Sequence, residues 1–464
     1  MSAAAVKHPS SYRDPSGYIF EKEGVLYRQV NLSFKEDFDH FIKSGCYNQL
    51  VEKKLLLSHQ VINENFTGSN NWYTTLQPDK INFISYPYEW SFDMLKDAAL
   101  LTLQLIKETI PFGVVLKDAT PYNIQWHNGQ LIFIDTLSFE KYNEAQPWIA
   151  YRQFCESFLG PLLLMHYNKL PLQQLSFAYP DGIPLAVTKA LLPGRSRFSL
   201  YTYLHIHLHA KVSGNSENAV TGRTSFTKQK LLNLISSLET LIKKLKLPRQ
   251  ASIWSAYYKE AAQRNDYLEQ KKKIINEWLQ ELPDIKTAAD LGANEGEFTQ
   301  LLAARNILSI AADFDPYCIN TLYNKIKSGA EKNIQPLIID LSNPSPAVGV
   351  NNNERQSFTD RCNADLVLAL ALIHHLAIGK NIPLEMIAGF LKNTGNYLII
   401  ELIPKDDEKV QLMLKSKEDI YTNYTEGDFI KSFEQYYSIT DRQFIGQSGR
   451  QIFLMKRKDY NPVS

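Results

Sequence analysis

Apolar side chains at Leu231, Leu234, Ile235, Leu238, Leu241, Ile242 and Leu245 recur every three or four residues, which predicts an amphipathic helix that Pro248 stops. A second helical stretch is expected from about Ser252 to Leu282. Beyond it the pattern changes to strand, glycine loop, helix. Strands are expected at Thr287–Leu291, Leu308–Asp313, Pro336–Asp340, Leu366–Ala371, Tyr397–Ile403, Tyr436–Ile445 and Gln451–Lys456. The first five alternate with helical stretches such as Phe298–Ala304 and Leu384–Leu391, which argues a parallel sheet covered by helices on both faces. The segment GQSGR joins the last two strands as a hairpin, making one edge antiparallel. Ligands on such sheets bind beyond the carboxyl ends of the strands.

Upstream of the first helix, the small polar run Ser213–Ser225 reads as an exposed loop or linker. The chain therefore divides near 245–250, into a first domain of residues 1–245 and a second of residues 246–464.

Composition narrows the function classes. The 464 residues carry 50 Lys plus Arg against 49 Asp plus Glu, so a nucleic-acid backbone is a poor candidate for the main partner. Cys46, Cys155, Cys318 and Cys362 form no CxxC pair, which fits a reducing compartment better than a disulfide scaffold. The N-terminal stretch lacks a signal-peptide core, and no run reaches the roughly 20 apolar residues of a membrane span. A cytoplasmic protein with no membrane partner is expected.

The richest segment is Ala289-Asp290-Leu291-Gly292-Ala293-Asn294-Glu295-Gly296-Glu297-Phe298, which follows a strand and opens a helix. Gly292 and Gly296 leave room where a backbone must turn tightly and approach a ligand. Asp313 ends the next strand, where a carboxylate can bridge two ribose hydroxyls. That acid suits a nicotinamide dinucleotide equally well, but the G-x-x-x-G spacing lacks the G-x-G start of a dinucleotide fingerprint. A glycine turn between strand and helix also occurs in many α/β proteins with no ligand there.

DLGANEGEF, with Asp313 in AADFDP, resembles the first two motifs of the class I S-adenosylmethionine-dependent methyltransferases over residues 285–456. The resemblance implies a Rossmann-like seven-stranded domain with a terminal hairpin. It implies that Gly292, Asn294 and Gly296 cradle the methionine moiety of S-adenosyl-L-methionine, with Asp290 orienting its amino group. It puts Asp313 at the ribose, and Asp340 with Leu341 at the adenine.

On the acceptor side, the fourth strand runs into His374 and His375, where the family places its methyl-transfer face. A neutral imidazole there could take a proton from an oxygen or nitrogen nucleophile. Adjacent histidines point apart, so at most one faces the site; the alternative is that one bonds a loop and the other caps a helix. Glu401, closing the fifth strand, is a second candidate base with an alternative structural role. The absence of N-P-P-Y, D-P-P-Y and Pro-Cys sequences argues against nucleic-acid amino- or cytosine-methylating enzymes.

The first domain holds its own constellation. Asn128-Gly129 between two apolar runs signals a hairpin that sets Tyr122 opposite Asp135 and gathers Asp118, Asn123 and Asp135 at its open end. Asp, four residues, Asn, then an Asp beyond a hairpin resembles the catalytic loop and metal-binding Asp of kinases, and Ser85–Trp90 before a long helix, Phe92–Thr109, resembles a hinge. The resemblance implies an α+β kinase-like domain, with Mg-ATP as the nucleotide it would take. The domain departs from the pattern in lacking a glycine-rich loop, in having Lys117 before Asp118, and in Thr-Leu after Asp135. A domain that presents substrate or binds nucleotide without phosphate transfer is the expected reading, with an active phosphotransferase and an unrelated fold with a polar hairpin end as alternatives.

His205, His207 and His209 would share one face of a strand, whereas on a helix only His205 and His209 would align; with no carboxylate nearby no metal is expected. Lys271–Lys273 reads as a solvated helix face. LKDATPYN and LALALIHHL together look like a group of two-part bacterial methyltransferases sometimes grouped with a nodulation methyltransferase, a likeness that names no acceptor. The expected function is methyl transfer to a small molecule or carbohydrate. A bifunctional methyltransferase and phosphotransferase, and a cofactor-binding protein without catalysis, are the alternatives.

Overall fold

The structure, a computed structural model, describes residues 4–213, 226–248, 265–282, 284–329, 331–415 and 417–460. All but the first residue of the expected linker lies outside this set, as does the beginning of the helix expected from Ser252. The chain forms two compact units, Met1–Pro248 with Gly349–Arg355, and Arg249–Val348 with Gln356–Ser464.

In the first unit, β1 (Val6–Lys7), β2 (Gly17–Lys22), β3 (Val25–Asn31), β4 (His59–Ile62) and β5 (Trp72–Pro78) form an antiparallel sheet ordered β1-β2-β3-β5-β4. Val30, Leu76 and Leu137 pack with Phe34 and Phe38 beneath it. A buried junction at Ser85–Trp90 follows, in which the Gln125 side chain pairs with the Ser85 backbone as a strand would, at 2.9 and 3.1 Å. Ser91 then caps the expected helix Phe92–Thr109, whose buried leucines fill the centre of the unit.

Beyond that helix, β6 (Val114–Leu116) leads to the hairpin β7 (Ile124–His127) and β8 (Gln130–Phe133), and β9 (Phe139–Lys141) returns to pair with β6. Asn128 and Gly129 both have positive φ, 49° and 80°, as a two-residue hairpin turn of matching twist requires. The register Ile124↔Phe133 extends past the strands, because Asn123 O accepts Ile134 N–H at 2.9 Å. Helices including Gly160–Asn168 and Lys228–Lys244 complete the unit.

The short segment Gly349–Arg355 belongs to this unit although it lies far along the chain. Glu354 accepts from the Tyr12 hydroxyl at 3.1 Å and pairs with Arg13 at 3.2 Å. The Arg355 guanidinium lies 3.9 Å above the ring of Tyr122. No pattern in the sequence announces this assignment.

The second unit is a seven-stranded sheet of β10 (Thr287–Leu291), β11 (Leu308–Asp313), β12 (Ile334–Ile338), β13 (Ala364–Ala369), β14 (Gly395–Leu402), β15 (Tyr437–Phe444) and β16 (Gln451–Arg457). The order is β12-β11-β10-β13-β14-β16-β15, parallel except that β16 runs against both of its neighbours. The sheet has the seven strands and the closing hairpin expected from the hydrophobic pattern. Strands β12 and β13 begin and end two residues earlier than their hydrophobic runs suggest. Asp340 and Ala371 therefore lie in the loops just past the carboxyl edge.

One face of this sheet is covered by the helix Asn265–Glu281. Its Ile274, Ile275 and Trp278 pack on Leu366, Leu368 and Ile399. The Trp278 indole donates to Asp441 at 2.8 Å, anchoring the helix to β15.

Candidate cofactor-binding site

At the carboxyl end of this sheet is a cavity of about 430 Å³, within the size range of small-molecule sites. Its position follows from the reversal of strand order between β10 and β13, where the loops leaving the two strands diverge. Asp290, Gly292, Asn294, Asp313, Asp340 and Leu341 all line it.

The loop after β10 is shaped by left-handed backbone at Gly292, Asn294 and Gly296, with φ of 84°, 50° and 80°. Gly292 N–H and Ala293 N–H both donate to Ala312 O, and Asn294 N–H donates to Asp313 Oδ2 at 2.8 Å. The loop is thus tied to β11, and Asp313 is fixed from the other side by Asp315 N–H at 2.8 Å. Gly296 does not line the cavity. A Cβ there would stand 2.7 Å from Leu322 Cδ1, so this glycine serves the packing of helix Glu297–Ala303 on Pro316–Ser328.

Asp290 and Asp313 are both deeply buried. Desolvation, with lesser repulsion between the two, pushes Asp290 up to about 6; burial pushes Asp313 to about 6 as well. Asp290 accepts from the Thr299 hydroxyl at 2.6 Å and from the Thr299 backbone amide. Asp313 already accepts from two backbone amides, yet burial outweighs the hydrogen bonds at both carboxylates, which favours a ligand that brings further donors, such as an ammonium and a pair of ribose hydroxyls. Gly292 leaves bare backbone beside them. The residues present fit S-adenosyl-L-methionine.

Of the paired histidines, His375 lines the cavity and His374 does not. Their rings lie 3.9 Å apart. Burial pulls His375 down to about 4, leaving it neutral near pH 7, and holds the enclosed His374 well below its ordinary range.

Glu401 does not line the cavity, and both of its oxygens are engaged. Its Oε2 accepts Lys271 Nζ at 2.7 Å and Ala371 N–H at 2.8 Å, and its Oε1 accepts the Tyr267 hydroxyl. Burial alone would raise this carboxyl, but Lys271 and Arg450 win and hold it low. Arg450 donates to the Tyr267 oxygen at 2.9 Å and forks onto Asp407 at 2.8 and 3.1 Å. Ala371 is held at φ 50°, rarely adopted by a side-chain-bearing residue, and its amide is the one Glu401 grips. Glu401 thus ties the end of β13 to the covering helix.

The lysine run Lys271–Lys273 is also corrected. Lys271 is 2% exposed and lines the cavity, whereas Lys272 and Lys273 pair with Glu297 and Glu277 toward solvent. Tyr267, Phe298, Phe314, Lys380 and Met413 also line the cavity and were not singled out from sequence. Their signal is weak, because each lies on a different element.

In the first unit the expected trio is linked into one network. Asn123 Nδ2 donates to Asp118 Oδ2 at 3.1 Å and to Ser138 Oγ at 3.2 Å, and Ser138 Oγ donates to Asp135 Oδ2 at 2.7 Å. Gln153 donates to the other Asp118 oxygen at 2.7 Å. Burial, then Asp135, raises the Asp118 carboxyl. Arg28 on β3 pairs with Asp135 at 2.7 Å and with Asp14 at 3.3 Å, placing a protein cation against the acid that the kinase resemblance assigns to a metal.

His205, His207 and His209 lie on a π-helical turn and the helix after it. His205 bonds the Tyr151 and Ser237 hydroxyls, His207 bonds Ser196, and His209 stacks on Tyr151. Among the described residues, no group of three or more His, Cys, Asp or Glu side chains is placed to hold a metal ion.

No family model matches the chain. Nodulation protein NoeA of Rhizobium meliloti (strain 1021) is 33% identical to it over 473 residues, covering 97% of this chain and 96% of that protein. The chain belongs to the NoeA family. Solved structures give more distant likenesses. The bifunctional kinase-methyltransferase WbdD aligns with 42% of this chain and 39% of its own, at 15% identity and TM-score 0.29. The N-methyltransferase NodS from Bradyrhizobium japonicum WM9 aligns with 42% of this chain and 97% of its own, at 12% identity and TM-score 0.31. Likenesses of that size carry no argument. For this NoeA relative, the site rests on its own strand order and side chains.

Proposed function

We propose that the second unit, within residues 246–464, binds S-adenosyl-L-methionine and transfers its methyl group to a small-molecule or carbohydrate acceptor. The observation that carries this reading is the pair of buried carboxylates, Asp290 and Asp313, beside the bare backbone of Gly292 in one cavity.

In this reading Asp290 orients the amino group of the methionine moiety, while Gly292 and Asn294 cradle it. Asp313 accepts from the ribose, and Asp340 with Leu341 flanks the adenine. Lys271 faces the same cavity with two of its three ammonium hydrogens engaged by Glu401 and Tyr267, and its third suits the methionine carboxylate. When bound, the cofactor supplies a methyl group on a sulfonium, which is its own leaving group. The chain's task is then alignment and, where the nucleophile carries a proton, its removal. His375, neutral and in the cavity wall, is the group for that step. Leu376, Leu412 and Met413 add an apolar part to the same lining.

The test is calorimetric titration with S-adenosyl-L-methionine beside Gly292→Arg and Asp313→Ala. Micromolar binding lost in both variants supports the assignment and opens an acceptor search with labelled methyl groups. No binding to folded wild type would sink it.

For the first unit, within residues 1–245, we infer a kinase-like domain that holds substrate or nucleotide without transferring phosphate. The Arg28–Asp135 pair favours this over an active phosphotransferase. Mg-ATP turnover that disappears in Asp135→Ala would reverse the preference and make the protein bifunctional.

A further inference from the structure

The stretch from Ala190 to Lys211 in the first unit turns an unusual set of side chains outward. Every exposed side chain in it is apolar or basic. Phe198 is 91% exposed and Leu200 67%, and Leu191, Tyr203, Leu204 and Leu208 are exposed as well. Arg195, Arg197 and Lys211 stand among them, and no acidic residue occurs between Pro184 and Ser213.

The spacing explains how the face arises. Leu200, Tyr203, Leu204, Leu208 and Lys211 recur at helical intervals along the continuous Leu200–Ser213 helical segment. Thr202, His205, Ile206 and His207 occupy the opposite, buried face. The interior side is therefore partly polar, with His205 bonded to Tyr151 and Ser237 and His207 to Ser196, while the outward side is apolar. That inverts the usual arrangement of a surface helix. The loop carrying Phe198 is pinned to this segment by the bond between Ser196 and His207 at 2.9 Å, so Phe198 is presented on a fixed support.

Exposed apolar side chains grouped on one segment are the kind of surface that marks an interaction site. We propose that residues 190–211 form an interfacial docking face for an anionic lipid surface. Exposed aromatic and leucine side chains suit the boundary between headgroups and acyl chains, and interspersed arginines and lysine suit anionic headgroups. The same charges disfavour a second copy of the chain, since a two-fold contact through this face would gather the arginines of both copies in one interface with no acid from the segment to offset them. Among the described residues no helix is long and apolar enough to cross a membrane, so the contact is peripheral. The sequence-based expectation of no membrane partner rested on spanning segments, which this face does not need. The proposal is independent of the cofactor assignment.

Flotation of the full chain with vesicles tests it. Wild type is expected to float with equimolar phosphatidylcholine–phosphatidylglycerol vesicles and not with phosphatidylcholine alone. Phe198→Glu and Arg197→Glu should each weaken binding by about tenfold or more, and added salt should weaken it further. Both positions are exposed, so the variants should keep the wild-type circular dichroism and melting temperature. Failure of the folded wild type to float with the anionic vesicles overturns the proposal, as does binding that both variants leave unchanged. A concentration-dependent dimer in sedimentation equilibrium that Leu204→Glu dissociates would also overturn it, in favour of self-association.

Discussion

Lys271 Nζ sits 2.7 Å from Glu401 Oε2, with neither side chain more than 3% exposed, so a buried ion pair joins the covering helix to the carboxyl end of β14. Tyr267 and Arg450 complete the set, and the Ala371 amide ties it to the cavity wall. Stability and ligand geometry at this edge therefore share the same few atoms.

Breaking that pair from one side should be costly. Lys271→Met leaves Glu401 with Arg450 at 3.9 Å as its nearest remaining cation. A loss of about 3–5 kcal/mol is expected in urea unfolding. The double variant Lys271→Met/Glu401→Gln should fall short of the sum of the singles by about 1 kcal/mol or more. Strict additivity would show that the two side chains do not act together.

Cofactor affinity should depend on acid in a defined direction. Asp290 and Asp313 each move from an ordinary 3.8 to about 6 in the fold. Raised values mean that their contribution to stability is fully present below about pH 4 and is lost as pH rises through about 6. Binding of a ligand that donates to both carboxylates runs the other way. Its dissociation constant should grow by about tenfold for each pH unit below 6 for each carboxylate that must ionise. Calorimetry on wild type and Asp313→Asn would measure this, and equal slopes in the two would count against Asp313.

Gly292 and Gly296 should separate in their effects. Gly296→Ala forces a side chain into φ 80° with Leu322 at 2.7 Å, so a loss of about 1–3 kcal/mol is expected. Cofactor affinity of the folded protein should change little. Leu322→Ala in the same chain should relieve the collision in part. Gly292→Arg should behave oppositely, with a large loss of affinity for its loss of stability.

His375→Asn tests the proton-removing role. In extracts that accept labelled methyl, the rate should fall by about 10²–10⁴-fold with cofactor affinity unchanged. With His375 held at about 4, the wild-type rate should be level through neutral pH. A variant with full activity would return His375 to the cavity wall alone.

Much of the second unit was legible because period and punctuation agree there. The bounds of β10 and β11 coincide with their hydrophobic runs, and GQSGR makes the expected turn. The ends of β12 and β13 were not legible, for backbone reasons. Asp340 accepts Ser342 N–H at 2.9 Å in a tight turn, and Ala371 enters the left-handed region within an unbroken apolar run. Glu401 read as a candidate base because its partner lies far upstream in the chain. Lys271 was hidden inside a run of three lysines, although on a helix three neighbours cannot share one face. In the first unit the hairpin register could be counted from Asn128-Gly129, whereas Arg28, Ser138 and Gln153 join its open end from elements with no distinguishing motif.

The assignment of Gly349–Arg355 to the first unit bears on the timing of synthesis. The ribosome finishes Pro248 roughly a hundred residues before it reaches Arg355, an interval of about 5–20 s at ordinary elongation rates. Through that interval the nascent first unit lacks the carboxylate that engages Tyr12 and Arg13 and the guanidinium that covers Tyr122. Its folding closes only after β12 has been made. Gene halves divided at residue 248 would thus yield an N-terminal polypeptide missing part of its own wall.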